Sequence, residues 1–165
     1  MDQSTKIIDN FIEPSIFEHF KKTIVGNNTI PWFLNHGIST KNTYNDEGIY
    51  FTHTFYTDYN ISSQYFGSLN PIFEKINPKA IIRARANVYP KTNKIVQHGM
   101  HIDYPYEHLG LIVYLNTNNG FTILEDGTKV ESIENRALFF DPSKNHCSTT
   151  CTDSFFRSIV IVNYF

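Results

Sequence analysis

The sequence predicts an α+β fold in which helical segments come first and an antiparallel sandwich or barrel of short strands follows. Two patterns carry that prediction. Before residue 79, apolar side chains recur at helical spacing in two stretches, each marked by a proline. From residue 80 onward they alternate or run in short blocks, separated by turn-forming pairs. Composition agrees, because 41% hydrophobic and only 18% charged residues in a chain of 165 suit a packed core rather than disorder. The length fits one domain, 1–165, with helical support over 1–79 and a β core over 80–165. A net charge of −2 offers no general attraction to nucleic acid or anionic lipid, so neither is an expected partner. The opening MDQSTK lacks the apolar run of a signal peptide and no stretch approaches a membrane span, so a cytoplasmic location is expected.

Residues 6–12 (KIIDNFI) read as a short strand. Pro14 then opens a helix, since proline is tolerated in a first turn. Ile16, Phe17, Phe20 and Ile24 supply its apolar face, and Gly26 suits the position past its end. Residues 27–48, rich in Asn, Gly, Ser and Thr, read mostly as loop, with Trp32-Phe33 as an aromatic anchor beneath it. The stretch 49–56 (IYFTHTFY) alternates as a strand, with Tyr50, Thr52, Thr54 and Tyr56 on one face. His53 shares the other face with Phe51 and Phe55 and is expected to be a satisfied core histidine. Residues 62–76 look helical, with Pro71 starting a second segment or kinking the first, and Asn77-Pro78 ending it.

The β half begins at 80–89 (AIIRARANVY), where Arg83, Arg85, Asn87 and Tyr89 share one face. A turn at 90–93 and a short extended piece at 95–96 lead to strand 109–116 (LGLIVYLN). Asn119-Gly120 and Asp126-Gly127 are hairpin signals on either side of FTIL at 121–124. Stretches 129–132, 136–140 (RALFF) and 155–165 (FFRSIVIVNYF) complete the set.

The chemistry concentrates in QHGMHIDYP, residues 97–105. His101 and Asp103 stand two apart, so on extended chain both project to one side. With His146 downstream they form two imidazoles and one carboxylate, a donor set that leaves open positions on a ferrous ion. Alone, His-x-Asp is a common tripeptide that can simply cap a strand. Cys147 and Cys151 follow His146 directly, and a zinc site built on these three is an alternative. No compact second cluster exists apart from His98 and His101, so the thiols read as structural or incidental, and a disulfide is not expected in a reducing compartment. Arg157 alternates with Ile159 and Ile161 and should face inward.

An ordered series runs through the second half: Val88-Tyr89-Pro90, His101-x-Asp103, Val113-Tyr114-Leu115-Asn116, Arg136-x-Leu138-Phe139-Phe140, His146, Arg157 and Asn163-Tyr164-Phe165. This order resembles the prolyl 4-hydroxylase branch of the Fe(II)/2-oxoglutarate-dependent dioxygenases. The resemblance implies a double-stranded β-helix (jelly-roll) core with N-terminal helices packed on one sheet. It implies that His101, Asp103 and His146 ligate Fe(II), and that Arg157 grips the far carboxylate of 2-oxoglutarate, helped by the Tyr114 hydroxyl. A guanidinium fork suits that task because it holds a carboxylate in a fixed orientation. Tyr89 would line the cosubstrate pocket, and O2 would be the second cosubstrate.

The implied reaction hydroxylates a C–H bond while 2-oxoglutarate becomes succinate and CO2. Related halogenases lack the carboxylate at the position of Asp103, so hydroxylation is expected. The prime substrate would be a peptidyl-prolyl or other amino-acid residue, or a small molecule. Arg85, Asn87, Tyr104 and Asn163 are the candidates to meet it, the last standing where relatives often carry a bulkier ring. Arg83 and Arg85 have a plainer alternative, solvation or pairing with Asp58 or Glu107. His98 and His108 flank the site and are expected behind it or on the surface. A catalytically silent jelly-roll module that binds a metal or ligand is the competing reading, and oligomeric state is left open.

Overall fold

A computed structural model describes residues 5–26, 30–36 and 48–165. Eight strands form the larger sheet. Seven of them lie along it in the order β1 (Lys6–Ile8), β9 (Ala137–Phe140), β6 (Leu109–Tyr114), β11 (Phe156–Tyr164), β5 (Ile81–Pro90), β3 (Ile49–Thr57) and β2 (Phe33–His36), and the eighth, β4 (Asn60–Ile61), pairs with β3. A smaller sheet has the order β10 (His146–Ser148), β7 (Phe121–Leu124) and β8 (Lys129–Glu131). Every recorded pairing is antiparallel. The fold is a double-stranded β-helix with its helices on one face of the larger sheet.

Helix α1 (Pro14–Val25) starts where the sequence placed it. Glu13 caps it by accepting the backbone N–H groups of Ser15 and Ile16, and Gly26 follows its last turn. Phe17, Phe20 and Ile24 are buried against the sheet beside Ala84, Ala86, Leu111, Val113, Val160 and Val162. The predicted helix at 62–76 is instead a 3₁₀ turn at Phe66–Leu69 and a separate α2 (Asn70–Ile76) with Pro71 in its first turn. Asn77 ends α2 in a left-handed conformation (φ 43°), which asparagine tolerates.

Several expectations need correction. The predicted strand at 6–12 stops at Ile8; Phe11 and Ile12 drop into the core, and the Asn135 side chain bonds both the N–H and the carbonyl of Ile12. The predicted loop at 27–48 contains β2, and its residues 27–29 and 37–47 lie outside the described residues. Trp32 packs on the core while Phe33 is exposed, so the anchor is the tryptophan alone. In β3 a register shift between Thr54 and Tyr56 turns Tyr56 to the helix side, away from Tyr50. Asp126-Gly127 does join a hairpin, β7–β8, with Gly127 at φ 85°. Asn119-Gly120 does not: β6 and β7 lie in different sheets, and this pair makes the crossing between them.

Candidate metal and cosubstrate site

The site lies between the sheets, and strand register decides what faces it. Cross-strand partners share a face, so Arg157 opposite Tyr89, Ile161 opposite Arg85 and Asn163 opposite Arg83 place all six side chains on the inner face of β11 and β5. From the smaller sheet, His146 and Ser148 alternate on β10 opposite Leu124 and Thr122 of β7. The chain carrying His101 runs along the free edge of β10, where His101 and His146 exchange backbone hydrogen bonds at 3.0 and 2.9 Å. Asp103 is held by its own N–H, which donates to Pro142 O at 2.9 Å.

This arrangement gathers His101, Asp103 and His146, with one ligand atom from each lying within 4.8 Å of the others. Among the described residues no other group of three His, Cys, Asp or Glu side chains meets that condition. The Nδ1 of His101 faces Gly99 O at 3.2 Å and that of His146 faces Lys144 O at 3.0 Å. Each carbonyl therefore favours a proton on Nδ1 and leaves Nε2 free as a donor to a metal. Burial lowers the pKa of His146 below its usual value despite the nearby Asp103 carboxylate, which keeps the imidazole in its neutral, ligating form.

Asp103 is the most constrained of the three. Burial alone would raise its pKa, but the Arg83 guanidinium, His146, Arg85 and the Asn163 amide together hold it well below the usual carboxylate range. Its Oδ1 pairs with Arg83 Nη2 at 2.7 Å and its Oδ2 accepts from Asn163 Nδ2 at 2.9 Å. Arg83 therefore pairs with neither Asp58 nor Glu107. His108 completes the support: its Nε2 lies 3.2 Å from Asn163 Nδ2, and its Nδ1 lies 2.8 Å from Tyr106 O. His108 lies behind the site, one of the two placements expected for it, whereas the sequence reading missed the pairing of Arg83 with Asp103. Its one usable signal was that Arg83 shares a strand face with Arg85 and Tyr89.

Arg157 is fully buried. Its Nε donates to Ser132 Oγ at 2.6 Å, its Nη2 to Thr122 Oγ1 at 2.9 Å, and its Nη1 to Ser148 Oγ. The Tyr89 and Tyr114 rings each lie 5.5 Å from Arg157 Cζ, and the Tyr114 hydroxyl donates to Thr122 Oγ1 at 2.8 Å. Among the described residues no carboxylate pairs with this cation. A buried charge held only by neutral hydroxyls and ring faces is costly, and an incoming carboxylate would complete it. Gly120 is required here, because a Cβ at that position would stand 2.7 Å from both Arg157 Cδ and Thr150 O. His98 is buried beside the Tyr89 ring, and its pKa is pushed down to about 3 by burial and then by the charge of Arg157 and by His101.

One pocket is lined by all three candidate ligands together with Arg85, Tyr89, Thr122 and Ser148. Of the remaining predicted residues, Asn87 is buried and donates to the Tyr89 hydroxyl at 2.9 Å. Tyr104 stands outside the ligand group, its ring centre 5.3 Å from Arg83 Cζ and stacked on Tyr106. Asn163 touches Asp103 rather than open space. Cys147 and Cys151 are free, buried thiols whose pKa values burial raises, and they do not join the ligand group. No described helix is long and apolar enough to cross a membrane.

No protein-family model and no curated protein matches the sequence. Solved structures do share the fold. An oxidoreductase of the 2OG-Fe(II) oxygenase family from Burkholderia pseudomallei superposes with a TM-score of 0.68 at 11% identity, over 99% of this chain and 85% of that one. The viral collagen prolyl hydroxylase of Paramecium Bursaria Chlorella virus-1, in its 2OG complex, gives 0.65 at 14% identity, over 98% and 96%. A Trichoplax adhaerens prolyl hydroxylase, in complex with a hypoxia inducible factor peptide fragment, gives 0.65 at 13% identity, over 99% and 84%.

Proposed function

We propose that this chain is an Fe(II)- and 2-oxoglutarate-dependent dioxygenase of the prolyl 4-hydroxylase-like branch, hydroxylating a C–H bond with release of succinate and CO2. The observation that carries the reading is Arg157, a buried cation without an anionic partner among the described residues, bonded to Thr122 and Ser148, which line the same pocket as the His-Asp-His group. The donor set fits ferrous iron: two imidazoles, each with Nδ1 turned to a carbonyl, and one carboxylate. Iron bound there would supply the oxygen chemistry.

The residues of the chain do the rest. His101, Asp103 and His146 hold the metal, and Arg83 and Asn163 keep Asp103 ionised and oriented. Arg157 takes the far carboxylate of 2-oxoglutarate, with Tyr114 setting Thr122 and Tyr89 flanking the cation. The apolar walls Ile112, Phe140, Ile159 and Ile161 exclude water from the pocket. The prime substrate is an amino-acid residue in a peptide, prolyl among them, or a small molecule.

The test supplies the protein with Fe(II), 2-oxoglutarate and O2, without prime substrate, and measures succinate. Slow succinate formation that Asp103→Ala and Arg157→Ala both abolish is the expected result. Formation at the same rate in all three proteins would assign it to free iron and reject the reading.

A further inference from the structure

Arg85 lines the pocket and its charge helps keep Asp103 ionised, yet no hydrogen bond above involves it. It half-emerges from β5 into the space lined by His101, Asp103 and His146. Its neighbour Arg83 is neutralised by Asp103 at 2.7 Å, whereas Arg85 makes no hydrogen bond or ion pair among the described residues. Its Nε is buried and unpartnered. Leaving a guanidinium this way is unfavourable unless a ligand completes it. Asp103 acts on Arg85 electrostatically but does not reach it: no ion pair joins the two, and Asp103 pairs with Arg83 instead.

Register separates Arg85 from Arg157. Arg157 lies opposite Tyr89 and Arg85 opposite Ile161, four residues further along the ladder. At the rise of a strand their backbone positions are roughly 13 Å apart. Arg85 thus lines the same space as the candidate ligands, while Arg157 lies behind Thr122 and Ser148, which line it in its place.

On the proposed function above, which assigns Arg157 to 2-oxoglutarate, we infer that Arg85 receives a carboxylate of the prime substrate. The substrate class is then a carboxylate-bearing molecule, either a free acid or a peptide with an acidic side chain. The planar fork of Arg85 orients that carboxylate and so directs a neighbouring C–H bond toward the metal.

The experiment uses the full chain with Mn(II) and 2-oxoglutarate in the absence of O2. Probes are the free L-amino acids beside their C-terminal amides, and a five-residue peptide with one glutamate beside its glutamine counterpart. Binding is read by thermal shift and ligand-observed NMR, and 2-oxoglutarate affinity is measured on the same samples. The expected result is at least tenfold tighter binding of an acid than of its amide. That preference disappears in Arg85→Gln and returns partly in Arg85→Lys, while 2-oxoglutarate affinity stays within twofold of wild type. Preference among the free acids identifies a small molecule; preference confined to the glutamate peptide identifies a peptide. Equal binding of acids and amides, or no binding of any probe, would overturn the inference. So would a loss of 2-oxoglutarate affinity in Arg85→Gln that parallels Arg157→Gln, which would make Arg85 part of the cosubstrate clasp. Should wild type bind no 2-oxoglutarate, the proposed function fails on its own, and the acid–amide comparison on the metal-free protein still decides what Arg85 binds.

Discussion

Arg157 and Asp103 set opposite electrostatic problems, and each is solved by neighbours on other strands. Arg157 is a cation among neutral hydroxyls, waiting for an anion; Asp103 is an anion already surrounded by donors. Arg157→Gln removes the charge and keeps much of the hydrogen bonding, so calorimetry should show 2-oxoglutarate binding weakened tenfold or more, about the worth of one charge-assisted hydrogen bond. Asn163→Ala leaves Asp103 Oδ2 without its amide donor. Metal affinity measured against a competing chelator should fall roughly tenfold, as for other residues that orient a ligand. Inward-facing Arg157 was readable from alternation with Ile159 and Ile161, because period two is a local property. The Arg83–Asp103 pair was not readable, since only the folding of the 97–105 segment against β5 and β11 brings the two together.

At the level of elements, the helix opened by Pro14, the long strands and the β7–β8 hairpin were legible, because a first-turn proline, alternation and Asp-Gly turns are short-range signals. β10 was not, since His146-Cys147-Ser148 has neither length nor β-branched residues, and its pairing with β7 is what makes it a strand. Asn119-Gly120 carries a hairpin signal but spends its glycine on close approach to Arg157. Gly120→Ala should therefore destabilise the protein by about 1–3 kcal/mol, the usual cost of overpacking, and weaken 2-oxoglutarate binding with it.

His53 ties β3 to neighbouring chain through Pro31 O at 2.7 Å and Ser63 Oγ at 2.8 Å. Burial lowers its pKa from 6.5, outweighing the Pro31 contact. The unfolded chain then takes up the proton first, so stability is full above about pH 6.5 and declines as pH falls toward the folded pKa. Urea midpoints at pH 7.5 and 5.5 should show a loss on acidification that is smaller in His53→Gln. An equal loss in both proteins would contradict this.

Across the whole molecule, the larger sheet separates two apolar clusters with different duties. One, with Phe20, Ile24 and Phe55, joins sheet to helices; the other, with Tyr89, Ile112, Tyr114 and Ile159, is continuous with the site. Ile24→Ala should cost about 2–5 kcal/mol of stability and leave the 2-oxoglutarate affinity of the folded protein unchanged. The sequence reading put strands only after residue 80 at the centre, yet β1, β2 and β3 from the first part extend the same sheet. β1 and β2, edge strands of three and four residues, carry too little pattern to announce their partners.

The central claim is that one pocket binds Fe(II) and 2-oxoglutarate together. Its most direct test mixes both with the protein under anaerobic conditions and records the visible absorption of an iron–2-oxoglutarate chelate. The account predicts a 2-oxoglutarate-dependent band in the wild type that disappears in Asp103→Ala and needs higher 2-oxoglutarate in Arg157→Gln. No such band in folded, iron-loaded wild-type protein would contradict it and leave a jelly-roll binding module in its place.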